Sequence, residues 1–458
     1  MGGTDLQTVR KKPDNDFSFG VVPVSDRRSF WGVGFVMLGF TFFSASMSVG
    51  AKLGIGLDAG GFAAAVTVGG LILACFTGVL AYVGAATGMG VDELARHSFG
   101  TYGSFLPSFL IAFTQMGWFG VGVAMFALPT ADVLGISPIP IVLVAGGLMT
   151  ASAYYGIRAI EIVSFVSVPL ISVLGTYSMV TAAAAGGGLS HVFASGSDMS
   201  VLTGVGLVVG SFISGGSATP NFTRFAKTPK SAVITTVIAF LVGNTLMFSF
   251  GAVGGAFTGK DDIFYVMIAQ GLALPALIVL GTNIWTTNNN ALYTTGLGFA
   301  NITKYPKKPL VIVAGVVGTL CSLWLYRNFV GWLSFLNATL PPIGTVLAAD
   351  YFVCRRTYAL RENTAVVGRS IFAVVCGTAA GWMVPLGIAS LNAVAATLAG
   401  YAVWTVFTRG AAGSGRRAVV TCCVPQSSPD VPEFGDAGFG QNAQDGRRTA
   451  RAQREAEK

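Results

Sequence analysis

The chain has 458 residues, of which 53% are hydrophobic and only 10% charged, and 61 are glycine. Soluble chains of this length are not so apolar, so a water-soluble enzyme or binding module is excluded and one polytopic membrane domain is expected. The net charge of +8 calls for no nucleic acid partner, because basic cytoplasmic loops and a basic tail beside an anionic leaflet account for it.

Residues 1–28 are polar and mixed in charge, without the short apolar core of a cleavable signal peptide, and read as a cytoplasmic N-terminal segment. A membrane span takes about 20 predominantly apolar residues. By that measure roughly twelve spans follow, at 29–54, 60–87, 103–130, 137–156, 159–186, 201–221, 231–257, 269–294, 309–326, 329–352, 366–386 and 388–408. They make an all-α transmembrane domain over 29–408. With the N-terminus inside, Arg96, Arg158, Arg224, Lys227, Lys304, Lys307, Lys308, Arg355 and Arg369 fall in inner loops or at inner span ends. Of the 28 Lys and Arg residues only Lys52, Lys260 and Arg327 fall outside, the asymmetry that the positive-inside rule demands. Both termini are therefore placed in the cytoplasm. Residues 409–458 form a Gly-, Ser-, Pro- and Arg-rich tail, too poor in apolar side chains to fold alone and expected to be disordered.

The first span carries LGFTFFSASMSVG (Leu38 to Gly50) and the sixth GSFISGGSATP (Gly210 to Pro220), each rich in residues of low helix propensity. Phe43-Ser44-Ala45-Ser46 echoes Phe212-Ile213-Ser214-Gly215 five spans later, as inverted repeats of spans one to five and six to ten would give. Paired interruptions of this kind point to the midplane site of a secondary transporter. In the second span, Gly70, Ala74 and Gly78 at four-residue steps read instead as helix packing.

The third span holds TQMGWFGVGVAMFALP, with Gln115 and Trp118 one turn apart and on one face. An amide beside an indole suits a flat polar solute. Phe212 from the sixth span would stack on its other side, while Ser214, Asn283 and Asn288 would read its edge. Ordinary helix packing is the competing reading of the same residues.

The eighth span, with LGTNIWTTNNNALYTTGLGFANIT, packs amides and hydroxyls into a segment that crosses the membrane. Such groups need partners or a water-filled cavity at that depth. Thr286 and Thr287 follow Asn283 by three and four residues, so the three share a helix face and could hold a hard cation. Away from span ends the interior has no Asp, Glu, Lys, Arg or His, and so no obvious proton relay. Sodium held by carbonyls and hydroxyls fits better, with lithium and water-mediated proton coupling as the other possibilities. A channel would need a continuous polar stripe, and an enzyme an activated nucleophile or metal set; neither is present. Cys75, Cys321, Cys354 and Cys376 lie in or beside spans and read as small buried hydrophobes; Cys422 and Cys423 stand just past the last span, where reversible acylation is conceivable. The AsnXaaThr triplets at Asn221, Asn301 and Asn337 read as chance, since all lie in or against the membrane or on its inner side.

FSFGVVPVSDRR (Phe17 to Arg28), FVMLGFTFFSASM, TQMGWFGVGVAMFALP, VVGSFISGGS, NIWTTNNNALYTTGLGFANIT and PPIGTVLAADYF together closely resemble the bacterial cytosine permeases of the nucleobase:cation symporter family, over about Phe17 to Phe407. The resemblance implies a LeuT-like fold with a 5+5 inverted repeat and two C-terminal helices. It also implies sodium-coupled import of a nucleobase, cytosine first, across the bacterial cytoplasmic (inner) membrane by alternating access, with no cofactor and no obligate protein partner. Its stacking pair would be Trp118 and Phe212, its edge readers Gln115, Ser214 and Asn288, and backbone around Phe43 and Ser44 would close the pocket. The sodium site would use the carbonyls of Gly39, Phe42 and Asn283 with the hydroxyls of Thr286 and Thr287. One departure concerns Asn289, where such permeases often carry an acid; about 100° away from Asn288 around a helix, it is expected to face away from the base. The alternative is a symporter of the same fold for another planar neutral solute, such as a different pyrimidine, a purine, allantoin or a hydantoin, with proton coupling left open.

Overall fold

The computed structural model describes residues 20–154, 157–193, 199–353 and 364–412, and of residues 157–165 and 409–412 the backbone only. The N-terminal segment up to residue 19, Cys354, Arg355, Cys422, Cys423 and the tail from 413 onward lie outside the described residues, as do the side chains of Arg158 and Glu161. The elements are helical, in the order α1 (Phe30–Thr41), α2 (Ser44–Gly56), α3 (Ala59–Thr87), α4 (Val91–Phe99), α5 (Phe105–Leu134), α6 (Pro138–Tyr154), α7 (Ile157–Ala185), α8 (Leu189–Val192) and α9 (Val201–Ser217). There follow α10 (Pro220–Thr223), α11 (Pro229–Ile238), a π turn at Ala239–Gly243, α12 (Asn244–Thr258), α13 (Ile263–Ala269), α14 (Ala273–Thr303), α15 (Lys307–Arg327), α16 (Phe329–Thr339), α17 (Pro341–Val353), α18 (Gly368–Met383) and α19 (Ala389–Ala412).

Each of the twelve apolar stretches coincides with a helix or a helix pair. Among the described residues, seven helical stretches, with α11–α12 and α16–α17 each counted as one, are long and apolar enough to cross a membrane alone, and α1 with α2 make an eighth, bent by 49°. The spans at α6, α9 and α18 are shorter, and α14 is long but polar in its middle. Tenancy of the interior follows the expected repeat. The first, second, sixth and seventh spans (α1/α2, α3, α9, α11/α12) pack on one another, and the third, fourth, eighth and ninth (α5, α6, α14, α15) form a second group. Each group thus takes the corresponding members of both five-span halves.

Glycine sets how close these helices lie. A Cβ on Gly50 or Gly54 of α2 would overlap the carbonyl oxygen of Phe248 or Ala252 on α12, and one on Gly251 the carbonyl oxygen of Met47. The two helices therefore touch backbone to backbone, as small-xxx-small contacts allow. In α3 Gly69, against Val208 of α9, and Gly84, against Pro220 and Thr223 of α10, are closely packed, whereas Gly70 and Gly78 have ordinary clearance. Cys75 and Cys321 are exposed on the helix surface, so the expectation that they are buried is corrected: the inward faces at these points are taken by Thr77 and Gly78 in α3 and by Gly318 and Thr319 in α15.

The two expected interruptions differ. In the first span the break falls at Phe42 and Phe43. Phe42, at φ −77° and ψ 79°, is the centre of an inverse γ-turn in which the Phe43 N–H donates to the Thr41 carbonyl at 2.9 Å. The sixth span, expected to be interrupted within Gly210 to Pro220, stays helical through Ser217 and breaks only near the end of that stretch. Its serines satisfy themselves without opening the helix: Ser211 donates to the Val208 carbonyl at 2.7 Å and Ser217 to that of Ile213 at 2.9 Å. The break comes at Ala218 and Thr219, because Pro220 has no N–H to continue the ladder. There Thr219 N–H donates to the Gly216 carbonyl at 3.2 Å in a tightened turn.

Candidate substrate and ion site

The break in the first span leaves backbone groups to be satisfied at membrane depth. The N–H of Phe43 and of Ser44, which in an unbroken helix would bind the carbonyls of Gly39 and Phe40, point elsewhere: Phe43 to Thr41, and Ser44 to Asn283 Oδ1 at 2.9 Å. The Ser44 hydroxyl donates to the same Oδ1 at 2.8 Å, and the Asn283 amide donates to the Phe42 carbonyl. One carboxamide from α14 thus bridges the gap. On its own helix the Asn283 carbonyl accepts from the hydroxyls of Thr286 at 2.7 Å and Thr287 at 3.1 Å. Gly39, Phe42, Asn283, Thr286 and Thr287 are all buried and cluster around this break.

Beside it lies a cavity of about 30 Å³ lined by Phe40, Phe43, Gln115, Trp118, Ser211, Phe212, Gly215, Thr287, Asn288 and Ala291. Helices of both groups supply it, the broken first span and α9 from one, α5 and α14 from the other. The volume holds about one water, so a six-membered ring enters only if side chains move. No acidic or basic side chain lines it. Trp118 meets Phe43 edge to face at 5.6 Å, and Phe212 meets Phe40 likewise at 5.0 Å. Trp118 and Phe212 therefore line the same space without touching as a pair.

Of the residues expected to bind substrate, Phe43, Gln115, Trp118, Phe212 and Asn288 line the cavity. Ser214 stands behind Gln115, whose amide donates to its hydroxyl at 2.8 Å, with Thr114 at 2.8 Å on the same hydroxyl. Ser44 and Asn283 are bonded to each other at the break. Thr287, expected at the ion, also lines the cavity. Asn288 donates to the Phe119 carbonyl and the Met149 sulfur, both at 3.2 Å, and its Oδ1 lies where Gly122 leaves room that a Cβ would fill. Asn289 is turned away, accepting from Ser152 at 2.9 Å, while Trp285 Nε1 donates to that serine at 2.7 Å. Phe40, Ser211, Gly215 and Ala291 were missed by sequence reasoning. Ala291 could have been found, since it follows Thr287 by one helical turn; Gly215 is needed because a Cβ there would crowd Phe40 and Phe212.

Polar clusters occupy the two ends of the molecule. At the end read as outer, Ser48, Lys52, Asp261, Asp262, Tyr326 and Phe329 border a cavity of about 460 Å³. Lys52 pairs with Asp261, and Tyr326 donates to Asp262 Oδ2 at 2.8 Å. Burial pushes the Asp262 carboxyl up to about 6, against the pull of the Tyr326 hydrogen bond. Phe329, on the wall of this cavity, packs edge to face on Trp118, on the wall of the inner pocket, at 6.0 Å. At the other end, Ser108 donates to Asp92 at 2.5 Å, Arg96 to Asn301 at 2.7 Å, and Arg224 lies 3.7 Å from Glu93. Burial raises both acids, Glu93 to about 7. Asn221, Asn301 and Asn337 are all buried hydrogen-bonding residues.

A pocket walled by aromatic rings and amides, where a broken helix of one group meets the second group, is the arrangement of a secondary transporter. The sequence profile of the permeases for cytosine/purines, uracil, thiamine and allantoin matches residues 21–425, and the chain belongs to this family. A curated cytosine permease of Escherichia coli (strain K12) is 50% identical over 386 residues, covering 83% of this chain and 92% of the relative. A hydantoin permease of Microbacterium maritypicum is 25% identical over 302 residues, 59% of this chain and 61% of the relative. Among solved structures, Mhp1, a nucleobase-cation-symport-1 family transporter in a closed conformation with bromovinylhydantoin bound, superimposes with a TM-score of 0.74 at 18% identity, over 87% of this chain and 96% of that one. A Na⁺-coupled sialic acid symporter in a substrate-bound outward-open state gives 0.65 at 15% identity, over 86% and 93%. These structures establish the LeuT-like all-α fold.

Proposed function

We propose that this chain imports a nucleobase, cytosine first, together with a sodium ion across the bacterial cytoplasmic membrane by alternating access. The observation that carries the reading is the meeting of two sets of groups at one helix break. Trp118 and Phe212 offer ring faces to a flat solute, and Gln115 and Asn288 offer amides to its edge. With one amide hydrogen on Ser214, Gln115 keeps its carbonyl oxygen and second hydrogen for the base; Asn288 keeps Oδ1. Beside them, the Gly39 carbonyl released from helical bonding and the hydroxyls of Thr286 and Thr287 supply the hard oxygens that suit sodium. The cytosine permease of E. coli, half identical to this chain, supports the choice of base.

In mechanism, the ion would lie between the first and eighth spans, where Asn283 already joins them. Fixing the Phe42 turn completes the wall formed by Phe43, so that base affinity rises with sodium and, by reciprocity, sodium affinity with base. Movement of one helix group against the other would then carry both inward.

The test is uptake of radiolabelled cytosine into proteoliposomes, with sodium and with sodium replaced by choline, against unlabelled uracil, adenine, allantoin and hydantoin. Saturable uptake, strongest competition by cytosine and loss of flux in choline are expected. Failure of unlabelled cytosine to compete moves the substrate to another planar solute, and equal flux in choline removes sodium.

A further inference from the structure

Away from the substrate pathway, α6 and α15 enclose a groove of about 490 Å³ that opens on the outer surface of the helix bundle. Its floor is made by a reciprocal fit: Gly146 of α6 leaves room for the Thr319 side chain, and Gly315 of α15 for that of Thr150. Both threonine hydroxyls are already spent on their own helices, Thr150 on the Gly146 carbonyl at 2.6 Å and Thr319 on that of Gly315 at 2.7 Å. The floor is therefore dry, suited to hydrocarbon and not to a polar solute. Leu143, Ile312 and Leu320, all exposed, stand as its walls, and a Cβ on Gly147 would meet open space.

The groove is not symmetrical end to end. Tyr154 closes one end, and the Lys308 ammonium lies over its ring at 4.9 Å. Lys304 caps α14 and Lys307 opens α15, on either side of their short connection, and no Asp or Glu occurs between Asp262 and Asp350. From Leu143 to Tyr154 the groove follows eleven residues of α6, about 16 Å of helix rise, close to half the hydrocarbon thickness of about 30 Å. An apolar slot one leaflet long, with cations at its polar end, matches an acyl chain carrying an anionic headgroup. The lysine end is the one that the positive-inside rule puts in the cytoplasm, where anionic lipids concentrate.

We propose that the α6–α15 groove is a binding site for an anionic phospholipid of the inner leaflet, its chain lying on Gly146, Gly147 and Gly315 and its phosphate held by Lys308 with the Tyr154 hydroxyl. The site is separate from the substrate cavity, since no residue lines both.

Native mass spectrometry of the full chain, delipidated and then offered equimolar phosphatidylglycerol and phosphatidylcholine of the same acyl composition, tests it. Wild type should retain phosphatidylglycerol preferentially, by about fivefold for each lysine engaged. Lys308→Gln should lower that preference while keeping both lipids bound, and Gly147→Phe, which fills the slot, should lower retention of both. A melting curve for each variant confirms that it is folded. Equal retention of the two lipids by wild type overturns the proposal, as does wild-type behaviour of Gly147→Phe. A dimer mass that Gly147→Phe abolishes assigns the groove to a second copy of the chain and overturns it too.

Discussion

Asn283 holds Ser44 twice, its Oδ1 accepting the backbone N–H at 2.9 Å and the hydroxyl at 2.8 Å. Because the same amide also donates to the Phe42 carbonyl, one side chain of the eighth span satisfies the groups freed on both sides of the break. Asn283→Ala leaves buried polar groups without partners, each costing about 1–3 kcal/mol or nearer 1 where a membrane-bound unfolded chain finds substitutes. We expect cytosine uptake to fall below detection and the melting temperature in detergent to drop by several degrees. Asn283→Asp, which keeps the acceptor for Ser44 and loses the donor to Phe42, should lie between. Uptake by Asn283→Ala at the wild-type rate would remove the bridge from the mechanism.

Thr287 borders the cavity and belongs to the proposed ion site, so its hydroxyl tests where the two meet. It donates to the carbonyls of Asn283 at 3.1 Å and Ile284 at 3.0 Å, which leaves lone pairs for a cation. Thr287→Ala should raise the sodium concentration for half-maximal uptake by about tenfold, the equivalent of about 1.4 kcal/mol, and Thr287→Ser should restore most of it. A sodium titration of initial uptake rates decides. The same half-saturation in all three proteins would place the ion elsewhere.

The spans were legible because each is a run of apolar residues long enough to cross the membrane, and that signal is additive over 20 residues or more. The break at Phe42 was legible for a related reason: Gly39 and the Phe43-Ser44-Ala45-Ser46 run weaken a helix that must otherwise be continuous. The matching break in the sixth span falls at the far end of the expected Gly210 to Pro220 stretch, since Gly and Ser permit an opening without requiring it, and Ser211 and Ser217 bond back to their own helix. Only Pro220 forces one. The pocket was legible through Gln115, Trp118 and Asn288, polar or amphipathic at mid-span. Phe40 carries no such mark, because an apolar side chain reads alike whether it faces a ligand, another helix or lipid, and Ala291 shows itself only by its place one helical turn after Thr287. Ser214 shows the limit of reading a polar residue as a ligand: it lies behind Gln115 and orients it.

Gly122 makes the position of Asn288 testable. A Cβ at Gly122 would overlap Asn288 Oδ1, so Gly122→Ala must push the amide out of place at an overpacking cost of about 1–3 kcal/mol. Cytosine affinity should weaken by roughly tenfold or more on that scale, with sodium half-saturation much less affected. Gly147→Ala, on a face where a Cβ meets open space, serves as the control and should leave cytosine affinity unchanged. Competition binding on membranes measures both, and equal affinities in the two variants would show that Asn288 does not read the base.

Asp262 gives the outer end a pH dependence whose sign follows from its burial. Its carboxyl is raised from an ordinary value near 3.8 to about 6, burial being the main cause, with the Asp261 charge raising it further and the Tyr326 hydrogen bond, the Phe264 N–H and Lys52 opposing. The folded chain then holds this proton more tightly than the unfolded chain does. Its contribution to stability is complete below about pH 4 and is lost as the pH rises through about 6. Asp262→Asn removes the ionisation while its Oδ1 can still accept from the Phe264 N–H, which now caps α13 at 2.9 Å. The difference in melting temperature between wild type and Asp262→Asn should therefore shift in favour of the variant from pH 4 to pH 7, and flatten above. Melting curves at half-unit intervals test this, and a difference constant across that range would mean that Asp262 keeps its charge on folding.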